Sequence, residues 1–501
     1  MKFNYLILVL FVACATWRAS DGEKYAGLLE KGDFEAASAF VESSKLKSET
    51  QNQLLYLFEQ GTIADRLDQT DLAIEKFSEA LGLIDELYTK KLSKKLESLI
   101  INDSKDVYYG SHFERSFAHY YLIKSYLKQF EKTGEKSSLD KARAVVLAWD
   151  SYFNEVNRDS NFSTSYKTDL MLKIIGAQVH ELMQVRSEDQ IALQLYKDAL
   201  LMLGEDKIYA DLLETNDLKN FVSDQILLLT QKLRPTEMVQ TEKKLSRKLQ
   251  DVKPGRNSIL IYEKGFVPRK LAKKFSIGLK GAASLVKDEK AQKAIMTVGA
   301  EVLAQFALAN LGFGFNQPVA PGTYIVTRDA LRVVAQELAI EFELPVIEAP
   351  KLENKLIIDI ENSKTKKSSQ SEFILVASAG KLNQVVLDEE AGARYLRTGV
   401  RVLTHHLVAI AASYQIYQTI MKQTNNNTFL AKAAALTTYL AASKGLSFIE
   451  QADLRQWMSL ASGFYITRVD LEQGEFVVKL SDKPLKTLAK VDQRLKVFFI
   501  N

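Results

Sequence analysis

The chain has 501 residues, 47% of them hydrophobic and 26% charged, ordinary values for a folded protein with material for more than one core. Lysine and arginine total 66 against 62 acids, and this near-balance does not mark a dedicated nucleic-acid binder. A single cysteine excludes a disulfide framework and a thiolate metal cluster, and five histidines leave little room for a multi-histidine metal site.

The first residues read as an export signal. Lys2 supplies a positive start, and Tyr5 to Ala13 form an apolar run of nine residues. A spanning helix needs about 20, so this run is too short to cross a bilayer permanently. Cys14 stands at its end, preceded by Phe11, Val12 and Ala13. That arrangement resembles a bacterial lipobox, which implies cleavage after residue 13 and lipidation at Cys14. Ala15 follows, with no aspartate. In lipoproteins of this kind, that implies the outer membrane, with the protein facing the periplasm.

From residue 14 to 248 the chain reads as all-α. No proline occurs before Pro235, and seven of the eight prolines lie between Pro235 and Pro350. Gly61, Ala73, Phe77 and Ala80, with Leu57 at the bulky position, occupy the spacing of a tetratricopeptide repeat. Ala192, Tyr196 and Ala199 repeat it. Weaker copies stand at Gly32 to Glu35 with Ala37, and at Ala142, Val146 and Trp149. Stacked repeats of this type leave a concave groove for a peptide or partner helix. His119, Tyr120, Tyr121 and Tyr126 are its expected aromatic anchors.

A boundary is expected at Leu249 to Arg256, which contains Pro254-Gly255. The second half, 255–501, reads as a β-rich, sandwich-like domain with a helical insertion at about 388–460, making the whole chain α+β. Strands are expected at Ser258–Glu263, Lys274–Leu279, Gly322–Val326, Lys355–Ile360, Glu372–Val376, Gln384–Leu387, Phe464–Val469, Glu475–Leu480 and Lys496–Ile500. Gln473-Gly474 is the expected hairpin turn. In the insertion, a long helix from Glu389 to Gln423 precedes one capped by Thr428, and Ser447 with Glu450 forms a capping box for a third. The apolar run Ala294 to Phe315 approaches membrane length, but Glu301 sits within it, so a buried or partner-facing helix is expected.

The chain carries no phosphate loop of the G-x-x-x-x-G-K-[ST] type, no H-E-x-x-H pair and no G-x-S-x-G elbow. His405 and His406 are adjacent and diverge by about 100° on a helix, so they are poor joint ligands. His112, His119 and His180 show no ligand spacing. No catalytic residue, metal or cofactor is therefore expected. The basic run of Lys264, Arg269, Lys270, Lys273, Lys274 and Lys280 is either a solvated face or a contact for anionic headgroups.

Four further patterns, taken in order, resemble an uncharacterised family of bacterial tetratricopeptide-repeat lipoproteins. They are Asn102 with Tyr109-Gly110 and Phe113-Glu114-Arg115; Tyr262-Glu263-x-Gly265-x-x-Pro268-x-Lys270; a helix with Arg397 and Arg401; and Ala452-Asp453-x-Arg455-x-Trp457. Leu454 stands where the family tends to have threonine. The resemblance implies a lipid-anchored protein of the cell envelope, grouped with accessory proteins of envelope and peptidoglycan synthesis, and supplies no active site. Tyr109, Glu114, Arg115, His119, Asp453, Arg455 and Trp457 are the candidate interaction residues, with Trp457 expected to pack over the following sheet. The expected function is a non-catalytic scaffold whose repeat groove binds another envelope protein. The alternative is an enzyme or glycan-binding module acting on peptidoglycan or surface polysaccharide through the second half.

Overall fold

The computed structural model describes residues 19–93, 106–158, 257–277, 340–348, 351–389 and 452–490, most of 166–252 and 492–501, and isolated positions of 390–451. The expected signal, Cys14, the strand at 322–326, the apolar run 294–315, His405, His406, Arg397, Arg401, Ser447 and Glu450 lie outside the described residues, as does most of the helical insertion. No described helix is long and apolar enough to cross a membrane.

The chain is mixed helix and sheet, with helices in the first half and a curled sheet in the second. The helices are α1 (Ala19–Lys31), α2 (Phe34–Ser43), α3 (Lys45–Ser48), α4 (Gln53–Arg66), α5 (Thr70–Ser93), α6 (His112–Thr133), α7 (Lys136–Arg158), α8 (Leu170–Leu182), α9 (Arg186–Glu205), α10 (Thr215–Leu233) and α11 (Met238–Leu245). Consecutive helices pack as neighbours, α4 on α5, α6 on α7 and α8 on α9. Their ends follow local chemistry. Asp33 caps α2, Asp169 caps α8 through the amides of Met171 and Leu172, and Ser111 with Glu114 forms a capping box on α6. Gly134, at φ +70°, closes α6 by donating to the Phe130 carbonyl.

The small residues of the repeat pattern let the helices approach. Gly61 lies against Phe77, where an added Cβ would come within 2.8 Å of the ring. Ala73, Phe77, Ala80, Ala192, Tyr196 and Ala199 are fully buried, as are Ala142 and Trp149. On α5, α7 and α9 these residues form one buried stripe. In α4 and α8, by contrast, and in α6 from Phe113 to Lys128, nearly every residue is buried, charged ones included. A helix without an exposed face is covered on both sides. The second cover is the sheet.

The strands are β1 (Ser258–Phe266), β2 (Leu271–Ile277), β3 (Ile340–Val346), β4 (Lys355–Asn362), β5 (Ser368–Ser378), β6 (Ala461–Val469), β7 (Gly474–Leu480), β8 (Lys483–Lys490) and β9 (Lys496–Ile500). Seven form one sheet in the order β8-β7-β4-β5-β6-β1-β9, while β2 and β3 pair separately. Neighbours are antiparallel except β1 and β9, which run parallel. The edge strands β8 and β9 meet, so the sheet curls into a near-barrel rather than the expected sandwich. Side chains span the last gap: Lys486 Nζ donates to the Phe499 carbonyl at 2.7 Å, and Lys490 Nζ to the Asn257 carbonyl at 2.9 Å.

Two expectations are corrected. Gln384–Leu387 is helical, within a helical stretch 379–389. The Ser378 hydroxyl accepts the Lys381 N–H, and Ala379, Leu382 and Val386 bury one helical stripe. Gln473-Gly474 does not join a hairpin, because β6 and β7 are separated by β5 and β4. The hairpin is β7–β8, turned at Ser481 and Asp482, both with positive φ as a two-residue turn requires.

Candidate functional site

The candidate residues converge on one seam where the inner helices meet the sheet. The stretch from Asp453 to Leu460, just before β6, crosses α4 and α6, and the helices receive its backbone amides one after another. Trp457 N–H donates to Glu114 Oε1 at 2.9 Å; Met458 and Ser459 N–H donate to the two oxygens of Glu59 at 2.6 and 3.1 Å. Glu114 also accepts from the Tyr108 hydroxyl at 2.7 Å and the Ser111 N–H at 2.6 Å. Glu59 takes a further bond from the Tyr25 hydroxyl at 2.7 Å, which ties α1 to the same point. Burial pushes the Glu59 carboxyl up to about 7, against the hydrogen bonds of Ser459, Tyr25 and Met458.

Trp457 does not pack over the following sheet as expected. It inserts among the helices, stacked on Phe58 at 4.5 Å and beside Tyr121 and Phe77, with its indole N–H donating to Thr62 Oγ1 at 2.9 Å. The physical reason is shape: Gly61 and the flat Phe77 leave a slot for a second large ring. Arg455 pairs with Asp453 through Nε and NH2 at 2.9 and 2.8 Å, lies over the Tyr108 ring, and donates to Asn52 Oδ1 and the Asp106 carbonyl. Arg115 Nε holds the Tyr109 carbonyl at 2.8 Å. His119 is buried against Trp149, its Nδ1 2.9 Å from the Arg115 carbonyl, and burial lowers its pKa to about 4. Glu114, Arg115, His119, Arg455 and Trp457 are thus buried, whereas Tyr109 and Asp453 are only partly so. Tyr120 and Tyr121, expected as groove anchors, are fully buried too.

Two further joints were not singled out from the sequence. At the first, Glu263 of β1 accepts from the Tyr120 hydroxyl at 2.8 Å, the Tyr121 hydroxyl at 3.2 Å and Lys124 Nζ at 2.6 Å. Lys124 also reaches Asp65 Oδ2 at 2.6 Å and Asn501 Oδ1 at 2.7 Å. Burial pushes the Asp65 carboxyl up, but the Lys124 and Lys128 ammonium groups overcome it and hold the pKa at about 2. At the second, Arg468 of β6 forms a two-pronged pair with Glu181 of α8 at 3.1 and 2.9 Å, and Glu181 also accepts the Tyr196 hydroxyl at 2.8 Å. The only sequence signal for either joint is a charge placed on a helix or strand that is apolar on both sides.

His112 Nδ1 lies 3.0 Å from the Tyr152 hydroxyl, and His180 Nδ1 lies 2.5 Å from Glu188. No group of three or more metal-capable side chains occurs among the described residues. Chemically, the seam is a set of buried acceptors, each engaged by donors from the other half of the chain. Comparisons with protein-family models, with curated proteins and with solved structures returned no match.

Proposed function

We propose that this is a non-catalytic, lipid-anchored scaffold of the bacterial cell envelope, held at Cys14 on the periplasmic side of the outer membrane. Its helix pairs act as tetratricopeptide-like repeats that bind another envelope protein. The observation that carries the non-catalytic reading is the use of the buried carboxylates. Glu59, Glu114, Glu263 and Glu181 each hydrogen-bond across the seam between helices and sheet. Groups used to join two halves are not poised for an exchange of protons with a substrate.

The same observation moves the binding surface away from the concave groove. This chain's own sheet and the segment 453–460 cover the inner helices, so a partner is received on the outer layer. Leu147 of α7, Ile191 and Leu201 of α9, and Val239 of α11 are exposed there.

Crosslinking in intact cells, followed by identification of co-purified envelope proteins, tests the reading. It predicts a protein partner whose yield falls in a Leu147→Glu, Leu201→Glu variant. Recovery of lipid alone would contradict it.

A further inference from the structure

The two ends of the helical stack differ in charge. Residues 19–86, from α1 into α5, hold 15 acids and six bases, although the whole chain is close to balance. Residues 232–248, from the end of α10 through α11, hold six bases and two acids. At this basic end, Met238 packs α11 onto Leu227 and Val252. The opposite face of the helix carries Val239, 80% exposed, with Lys243 one turn on and Lys244 beside it, and Lys248 follows. The neighbouring acids are already engaged. Glu242 accepts the Leu249 N–H at 2.7 Å, Glu237 faces Arg234 at 3.6 Å, and Asp224 is held by Arg247. Lys243, Lys244 and Lys248 enter no ion pair among the described residues.

At the first end the sign is reversed. Asp71, Glu75 and Glu79 follow one another at four-residue steps along the exposed side of α5, and Glu35 and Glu42 are exposed on α2. These two helices share one acidic face. The Tyr56 hydroxyl donates to Glu42 at 2.6 Å, and burial, Glu42, Glu79 and Glu75 together push its pKa up. Lys47 pairs with Glu42, and Lys76 with Glu75 and Glu79 at 2.5 and 3.6 Å, so acids still outnumber bases on this face. We propose that the basic end of one copy, Val239 with Lys243, Lys244 and Lys248, docks on the acidic α2–α5 face of a second copy. Charge complementarity selects this occupant, because the chain itself carries both surfaces. The helices between them pack in sequence, which keeps the two surfaces apart within one copy. The contact joins unlike surfaces, so it runs head to tail and can repeat from copy to copy. Its charges are exposed, so it is weak and sensitive to salt. This self-association goes beyond the partner proposed above and leaves Leu147, Ile191 and Leu201 to that partner.

The test uses the full chain with Cys14→Ser, so that no lipid drives clustering. Sedimentation velocity at about 50 mM salt should show species larger than the monomer, with association at least about tenfold weaker at about 500 mM. Two triple variants each remove one surface. The first is Lys243→Gln, Lys244→Gln, Lys248→Gln; the second is Glu35→Gln, Glu75→Gln, Glu79→Gln. Each alone should associate about tenfold more weakly than the parent, through the loss of exposed charge pairs. An equimolar mixture of the two should recover most of the association, because the intact acidic face of the first meets the intact basic end of the second. Recovery on mixing also shows that both variants are folded. A monomer at low salt, undiminished association of either variant alone, or no gain on mixing would each overturn the inference.

Discussion

Glu114 of α6 accepts the backbone N–H of Trp457, 343 positions further along the chain, at 2.9 Å inside the protein. Neither half builds this contact alone, and it fixes the entry of β6 onto the helices. Glu114→Ala leaves the amides of Trp457 and Ser111 and the Tyr108 hydroxyl without this acceptor. Urea denaturation of the full chain should show a loss of about 2–4 kcal/mol. A loss below about 0.5 kcal/mol would show that the contact is incidental.

Trp457 fills the slot between Phe58, Phe77 and Tyr121. Replacing it with alanine should cost about 3–5 kcal/mol through the cavity left behind. Phenylalanine should restore most of that loss but not the bond to Thr62. Thermal melts of the two variants distinguish packing from the indole N–H.

Two glycines make a matched pair. An added methyl at Gly61 would meet the Phe77 ring at 2.8 Å, whereas nothing lies within 4 Å of one at Gly82 in α5. Gly61→Ala should destabilise by about 1–3 kcal/mol, and Gly82→Ala should stabilise by about 0.5–1 kcal/mol. Equal effects would deny that Gly61 is set by ring packing.

Lys124 lies between Asp65 and Glu263 at 2.6 Å from each. Lys124→Met leaves two buried carboxylates facing each other and should cost about 3–5 kcal/mol. If calorimetry finds the variant as stable as the parent, the ammonium does not hold the first joint.

Two buried groups give opposite pH signatures. Glu59 is raised to about 7 from 4.5, so the folded state holds an extra proton between those values and its contribution falls as pH rises through them. His119 is lowered to about 4 from 6.5, so stability is lost as pH falls from 6.5 towards 4. Glu59→Gln should flatten the decline on the way to pH 7 by on the order of 2–3 kcal/mol, and His119→Gln should lessen the loss in acid. Unchanged profiles in both variants would contradict these assignments.

Local order was legible in the sequence because it rests on local chemistry. The alternation in Phe476, Val478 and Leu480 places β7, and the apolar runs place β1, β6 and β9. Strand β8 escaped notice because Lys483-Pro484 opens it and most of its residues are exposed. Gln384–Leu387 was misread as a strand because a short apolar run fits either period, and the Ser378 cap lies upstream of it. The sequence patterns single out residues of the seam, but not their partners. Arg455 with Asp453 is a local pair two residues apart; Trp457 with Thr62 and Met458 with Glu59 join positions about 400 apart, which no spacing rule reaches.

The central claim is that the inner helices are closed by the chain's own segment 453–460, whose amides are held by Glu59 and Glu114. Amide hydrogen exchange at Trp457, Met458 and Ser459 in the full chain tests it most directly. The account predicts exchange as slow as that of the slowest amides of α4 and α6, reached only by global unfolding. Exchange of these three amides within seconds, while the helices remain protected, would mean that the seam is open and the groove is free.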